Sequence, residues 1–232
     1  MCTVTFLPLP NNNFILTSNR DEQNERQTNP PKKYVEDGVE MVFPMDKTAG
    51  GTWIGTSDKK RLVCVLNGAY KKHVRKKYYK KSRGILAKEV LKANKIQPYI
   101  QQLDLINIEP FTMLVVDWSK GLDVYELIWD DSQKHFKKLK NEPHIWSSST
   151  LYSDDIKKVR KKWFKHWVMN HEFNSEQILA FHHSEIGNKE QSVLMKRSYA
   201  ETVSITSIKK ENKFVEIRYE DLVNSQNTVL KI

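Results

Sequence analysis

Cys2 stands directly behind the initiator methionine, and the pair Arg20-Asp21 follows further along the chain. A small second residue normally allows the initiator to be removed, which would leave a thiol and a free α-amine on one carbon. The thiol is a strong nucleophile once deprotonated. An α-amine has a reference pKa of about 7.7–8.0, so part of it is a neutral base near pH 7. One residue then supplies both nucleophile and base. An aspartate nearby would hold the ammonium form, and an arginine would favour the thiolate. Taken alone, a cysteine in second position is better described as part of an ordinary edge hairpin. The elements around it decide the matter.

Residues 2–7 and 14–17 are β-branched and apolar and read as strands. Pro8, Pro10 and Asn11-Asn12-Asn13 between them are turn residues. Closing that hairpin returns Arg20 and Asp21 to the side of Cys2. Residues 22–40 read as a long shaped loop around Pro30-Pro31 with a short strand at its end, and Met41-Val42-Phe43 as a brief strand. Gly50-Gly51 turns the chain into Thr52-Trp53-Ile54. It lacks the Lys-Ser/Thr ending of a phosphate loop, so it reads as a structural or pocket-forming turn. A strand over 61–67 ends in Asn67-Gly68. Ile85, Leu86, Val90 and Leu91 form the stripe of a helix, and a short polar helix is expected over 98–104. Strands at 111–117, 122–129 and 136–139 make an antiparallel meander. Ser153-Asp154-Asp155 opens a helix that runs to about Met169, a short helix covers 175–183, and strands at 202–208 and 214–219 close the chain.

Asn19-Arg20-Asp21-Glu22, preceded by the near-terminal Cys2, resembles the namesake motif of the NRDE family, also called the transport and Golgi organisation protein 2 family. Glu25-Arg26 with Pro30-Pro31, then Gly50-Gly51-Thr52-Trp53-Ile54-Gly55, Asn67 after a strand, and Ser82-Arg83-Gly84 follow in the family's order. The resemblance implies one domain over residues 1–232. Its fold would be an α+β, four-layer αββα sandwich of mainly antiparallel sheets, N-terminal-nucleophile hydrolase-like. It also implies a likeness to choloylglycine hydrolases and penicillin V acylases. On that basis Cys2, Arg20, Asp21 and Asn67 are the catalytic candidates, with Asn67 as oxyanion-hole donor. Asn19, Glu22, Trp53 and Ser148 are the pocket candidates. Asn67-Gly68 reads equally as a plain turn. Two departures stand out: Ser147-Ser148 occupies the place where the related acylases carry a catalytic Asn, and no Arg lies near Val203.

The chain has 232 residues, 39% hydrophobic and 28% charged, enough for a sizeable core and against global disorder. Its formal net charge is +10. The basic run is 71–83, where eight of thirteen residues are Lys or Arg. No nucleic-acid module accompanies the run, so nucleic acid is disfavoured. A small anionic ligand and peripheral membrane contact stay open. His166, His171 and His182-His183 match no zinc spacing, and neither a metal nor any other cofactor is expected. Only two cysteines, Cys2 and Cys64, fit a reducing, cytoplasmic setting. No secretory signal or spanning segment is read. Two functions follow from these residues together with the resemblance. One is a cysteine N-terminal-nucleophile hydrolase or acyltransferase acting on a non-peptide C–N amide bond. The other is a non-catalytic binding or trafficking protein on the same scaffold, handling lipid or haem.

Overall fold

The computed structural model describes residues 2–232, at Cys2 the backbone alone. The strands are β1 (Cys2–Leu9), β2 (Asn13–Glu22), β3 (Thr28–Glu36), β4 (Val39–Asp46), β5 (Ile54–Ser57), β6 (Arg61–Asn67), β7 (Phe111–Asp117), β8 (Asp123–Trp129), β9 (Lys134–Leu139), β10 (His144–Ser147), β11 (Glu201–Glu211), β12 (Phe214–Asp221) and β13 (Gln226–Lys231). The helices are α1 (Arg83–Lys92), α2 (Ile96–Gln102), α3 (Asp154–Asn170) and α4 (Ser175–His182). The chain forms two compact units, one of residues 1–26 with 142–232 and one of residues 27–141. Each holds one antiparallel sheet and two helices, so the fold class is α+β. No helix among the described residues is long and apolar enough to cross a membrane.

In the first unit the strand order is β10-β1-β2-β11-β12-β13. Asn11 and Asn12 adopt positive φ at the β1–β2 turn, a conformation that Asn tolerates better than most residues. The turn sets a register in which Cys2 pairs with Arg20 and Thr3 with Asn19. Side chains directly opposite in antiparallel strands share a face. Leu7 and Ile15 therefore look the same way, and they pack with Phe164 and Trp167 of α3 and Ile178 and Phe181 of α4. Ser153 caps α3 by accepting from the Ile156 N–H, and Asn174 caps α4 through the Gln177 N–H.

In the second unit the order is β3-β4-β5-β6-β7-β8-β9. The stripe of α1, Leu86, Ala87, Val90 and Leu91, is buried in a core shared with Phe43 and Val63. Arg61 is 1% exposed and fixes the end of that helix. Its Nε and Nη2 donate to Asp117 Oδ2 at 3.0 and 2.7 Å, and its Nη1 donates to the carbonyls of Val90 and Ala93. Those carbonyls belong to the last turn, where a helix lacks its own donors and a cation is favoured. Within the basic run, Lys76 pairs with Asp131, Lys80 with Asp104 and Lys81 with Glu89. Part of that charge is thus met inside the unit itself.

Residues 22–40 are not the long loop expected. β3 and β4 form a regular hairpin there, and only a short connection precedes it. The two prolines are accommodated because β3 is an edge strand and its register shifts between Asn29 and Lys32. The short helix expected over 98–104 is α2, which starts two residues earlier at Ile96, so that Pro98 sits in its first turn, where its missing N–H costs nothing. β10 and β13 were not expected as strands. Both are short edge strands: β10 has four half-buried residues with no alternation in burial, and β13 is mostly polar and exposed.

Gly50-Gly51-Thr52 and Ser82-Arg83-Gly84 meet in this unit. The Thr52 N–H donates to the Gly84 carbonyl at 3.2 Å. A Cβ on Gly51 would stand 2.5 Å from the Gly84 carbonyl carbon and 2.8 Å from its Cα. Backbone meets backbone, so no side-chain rotation relieves the clash. Gly50 differs, with φ +63 and open space around its Cβ position. Gly51→Ala is expected to lose about 3 kcal/mol in urea unfolding, and Gly50→Ala about 1 kcal/mol. Equal losses would show that the close approach is not what Gly51 serves.

Candidate active site

β2 carries the site. Its odd-numbered residues Asn19 and Asp21 face the side covered by α3 and α4, and its even-numbered residues Ser18 and Arg20 face the other side. A β-bulge decides what meets them from β11. The register shifts between Thr202 and Ser204, so Thr202 pairs with Asp21 while Ser204 pairs with Arg20. Without the extra residue, Val203, these two side chains would share a face. The bulge turns Thr202 toward Asp21 and Ser204 away from it.

Asp21 is fully buried. Thr202 Oγ1 donates to its Oδ1 at 2.7 Å and Tyr152 OH donates to its Oδ2 at 2.6 Å. Thr202 Oγ1 is itself oriented by the Met195 N–H at 3.0 Å. The Arg160 guanidinium stacks on the Tyr152 ring, 3.7 Å from the centroid. It is fully buried and donates to Thr3 Oγ1 and to the carbonyls of Gln191 and Ser192. Burial raises the Asp21 carboxyl above the usual carboxylate range, and Arg160 and the two hydroxyl donors hold back the rise. Burial and the Asp21 charge push the Tyr152 phenol well above its ordinary value, so Tyr152 stays the donor.

Asn19 lies in a neighbouring lock. Its Nδ2 donates to the carbonyls of His182 and Val193 at 3.0 and 2.9 Å. Its Oδ1 can only accept, so His182 Nδ1 carries the proton across the 2.6 Å contact. His182 Nε2 then accepts from Thr5 Oγ1 at 2.7 Å. Asn19 thus ties α4 to the sheet with its whole amide group.

Among the expected site residues, the first unit brings together the backbone of Cys2, Arg20, Asp21 and Asn19 through the β1–β2 register. The Cys2 thiol and Met1 lie outside the described residues. Arg20 is 3% exposed and its Nη1 reaches the Arg26 carbonyl at 3.4 Å. Glu22 pairs with Arg26 at 3.1 Å and accepts from the Gln23 N–H, which closes the turn after β2. Ser148 follows directly on the Thr3–Ser147 pair and lies 3.0 Å from Thr150 Oγ1. Asn67 and Trp53 belong to the second unit, Asn67 paired with Phe111 at the end of β6 and Trp53 just before β5. No group of three or more His, Cys, Asp or Glu among the described residues is arranged to hold a metal ion.

Sequence reasoning passed over Tyr152, Arg160, Thr202 and the anchoring role of His182. One signal was available: Arg160 sits at helical spacing from Ile156, Phe164 and Trp167, a charge in the middle of the apolar stripe of α3.

The family model described as Transport and Golgi organisation 2 matches residues 1–228. No curated protein matches the chain by sequence. Among solved structures, penicillin V acylase from Agrobacterium tumefaciens is similar with a TM-score of 0.61 and 12% identity, over 100% of this chain and 86% of that one. A variant of the conjugated bile acid hydrolase from Clostridium perfringens, its second-position cysteine changed to alanine, gives 0.58 and 11%, over 100% and 92%. The N-acylethanolamine-hydrolyzing acid amidase orthologue from Caenorhabditis elegans gives 0.61 and 11%, over 89% and 92%. Likeness at these identities shows the fold, which is the αββα, N-terminal-nucleophile hydrolase-like type that the resemblance implies.

His182 supplies a pH test of the lock beside the site. Burial lowers its pKa to about 3, against an ordinary 6.5. The unfolded chain therefore takes up a proton that the folded one refuses. The contribution is whole above pH 6.5 and is lost progressively as the pH falls toward 3. Stability at pH 5 is expected to be about 2 kcal/mol below its neutral value from this residue. His182→Gln should be less stable at pH 7 yet lose less between pH 7 and pH 5, read by urea unfolding. An unchanged acid loss in the variant would contradict the assignment.

Proposed function

The chain belongs to the Transport and Golgi organisation 2 family, and from that premise we propose that it is a cysteine amidohydrolase or acyltransferase acting through Cys2 on a non-peptide C–N amide bond. The observation that carries the reading is the Cys2–Arg20 pairing with Asp21 buried beside it. In this reading Met1 is removed and the Cys2 α-amine takes the thiol proton. The sulfur attacks the amide carbonyl, and a thioester forms as the C–N bond breaks. The amine leaves with the proton, and water or another acceptor then takes the acyl group. Asp21, poor in solvent and raised in pKa, binds and orients the α-ammonium. Arg20 favours the thiolate or the charge of the substrate. The substrate is a small, anionic molecule. The names of the similar structures, an acylase, a hydrolase and an amidase, agree in kind.

A second reading, a protein that binds a lipid-like or haem-like ligand without turnover, is favoured by one observation. By the resemblance Ser148 takes the place of the related acylases' Asn, and its hydroxyl lies against Thr150. A missing oxyanion donor costs about 10²–10³ in rate.

Labelling of the purified protein with an electrophilic thiol probe, read by mass on the N-terminal peptide, separates the two. The hydrolase reading expects intact mass without Met1, Cys2 reacting well below the pH at which a model peptide thiol does, and a rate at least tenfold lower in Asp21→Asn. A chain that retains Met1, or whose Cys2 reacts no faster than the peptide, leaves the binding reading in its place.

A further inference from the structure

We propose that Ser18, Ser204 and Thr206, a row of buried hydroxyls beside Arg20, form a subsite for a carboxylate carried by the molecule that Cys2 attacks. This rests on the reading of Cys2 as the nucleophile. The row lies on the face of the six-stranded sheet opposite α3 and α4. The register places Ser18 between Val4 and Thr206, and Arg20 between Cys2 and Ser204. All three hydroxyl residues are at most 1% exposed.

None of the three hydroxyls has a hydrogen-bond partner among the described residues. The helix-covered face of the same strands is the contrast. There Thr3 meets Arg160, Thr5 meets His182, Thr17 meets Ser207 at 2.9 Å, and Thr202 meets Asp21. The same residue types in the same strands are satisfied on one face and orphaned on the other. A buried hydroxyl without a partner costs about 1–3 kcal/mol, so three adjacent ones on one face call for an occupant. Each hydroxyl can donate, and Arg20 adds a buried positive charge. Donors with a guanidinium suit an oxygen anion that takes several hydrogen bonds. Two carboxylates flank the row among the described residues, and both are engaged: Asp221 accepts from the Val223 and Asn224 N–H groups and from Asn224 Nδ2, and Glu22, on the face of Arg20, pairs with Arg26. With strands about 4.8 Å apart, the row begins one strand from Cys2 and reaches the second, which sets a carboxylate about 5–10 Å from the reacting carbon.

The bulge at Val203 makes this row. It turns Ser204 out of the Thr202–Asp21 contact and into line with Arg20. One irregularity therefore serves both faces of the sheet.

The test uses 6-maleimidohexanoate and its methyl ester, which differ in the carboxylate alone. The ratio of their rates at Cys2, read by mass on the N-terminal peptide in about 0.15 M salt, is compared with the ratio for a model peptide of residues 2–7. The subsite requires the wild-type ratio to exceed the peptide ratio at least tenfold. In Ser18→Ala, Ser204→Ala, Thr206→Val combined, it should fall to within twofold of the peptide. Thr206→Val alone keeps the side-chain shape and should lower the ratio severalfold, which covers the case of a triple variant that does not fold. A wild-type ratio equal to that of the peptide overturns the subsite. So does a high ratio that survives the substitutions, which would assign the preference to Arg20 or to the overall charge. An ester rate at Cys2 no faster than the peptide would count against the nucleophile reading separately, because the ratio remains readable however slow both reactions are.

Discussion

A carboxylate without water is the constraint around which the first unit is arranged. Asp21 is fully buried, and burial alone would drive it to take up a proton. Two hydroxyl donors, Tyr152 and Thr202, and the guanidinium of Arg160 resist this without reversing it. Tyr152 comes from the segment before α3, Thr202 from β11 and Arg160 from α3, so three separate stretches converge on one side chain. Arg160 is in turn tied to Thr3 of β1 and to the carbonyls of Gln191 and Ser192. A desolvated carboxylate has a strong appetite for a cation, and the strand that starts at Cys2 runs beside it. Such a group is costly for folding and useful for holding an ammonium.

Two backbone irregularities put the parts in reach. Asn11 and Asn12, with φ of 59 and 56, close the hairpin so that Cys2 meets Arg20. A one-residue slip there would exchange the two faces of β1, moving Thr3 and Thr5 off the side where Arg160 and His182 wait. The bulge at Val203 does the complementary work from β11. In the second unit the glycines at 51 and 84 allow a loop and a helix backbone to touch, which gives a structural reason for two of the glycine-bearing stretches that carry the resemblance.

The sequence made the hairpin, the two antiparallel sets of strands, the Ser153 cap and the stripe of α1 legible, because each rests on local chemistry: turn residues, alternation, a capping hydroxyl and helical spacing. The resemblance carried the fold type and pointed to Asp21. The pattern did not reveal β3, whose alternation is broken by Pro30-Pro31, nor β13, whose residues are mostly polar and exposed. It also missed Tyr152 and Thr202, since nothing local marks a hydroxyl that will find a carboxylate far away in the chain. Arg160 was readable as a charge on an apolar stripe, although lysines stand on either side of it in the sequence.

The most direct measurement of the central claim is the unfolding free energy of wild type minus that of Asp21→Asn, followed from pH 4 to pH 8. A carboxyl raised by burial holds more protons in the folded chain than in the unfolded one, so its contribution to stability falls as the pH climbs from the unfolded value of 3.8 through the folded one. The expected result is a difference that moves steadily against the wild type with rising pH while the variant loses Cys2 reactivity. A difference that moves in favour of the wild type would mean that the carboxylate is a stabilising, depressed-pKa group, and would contradict the account of Asp21 as a costly charge kept for the site.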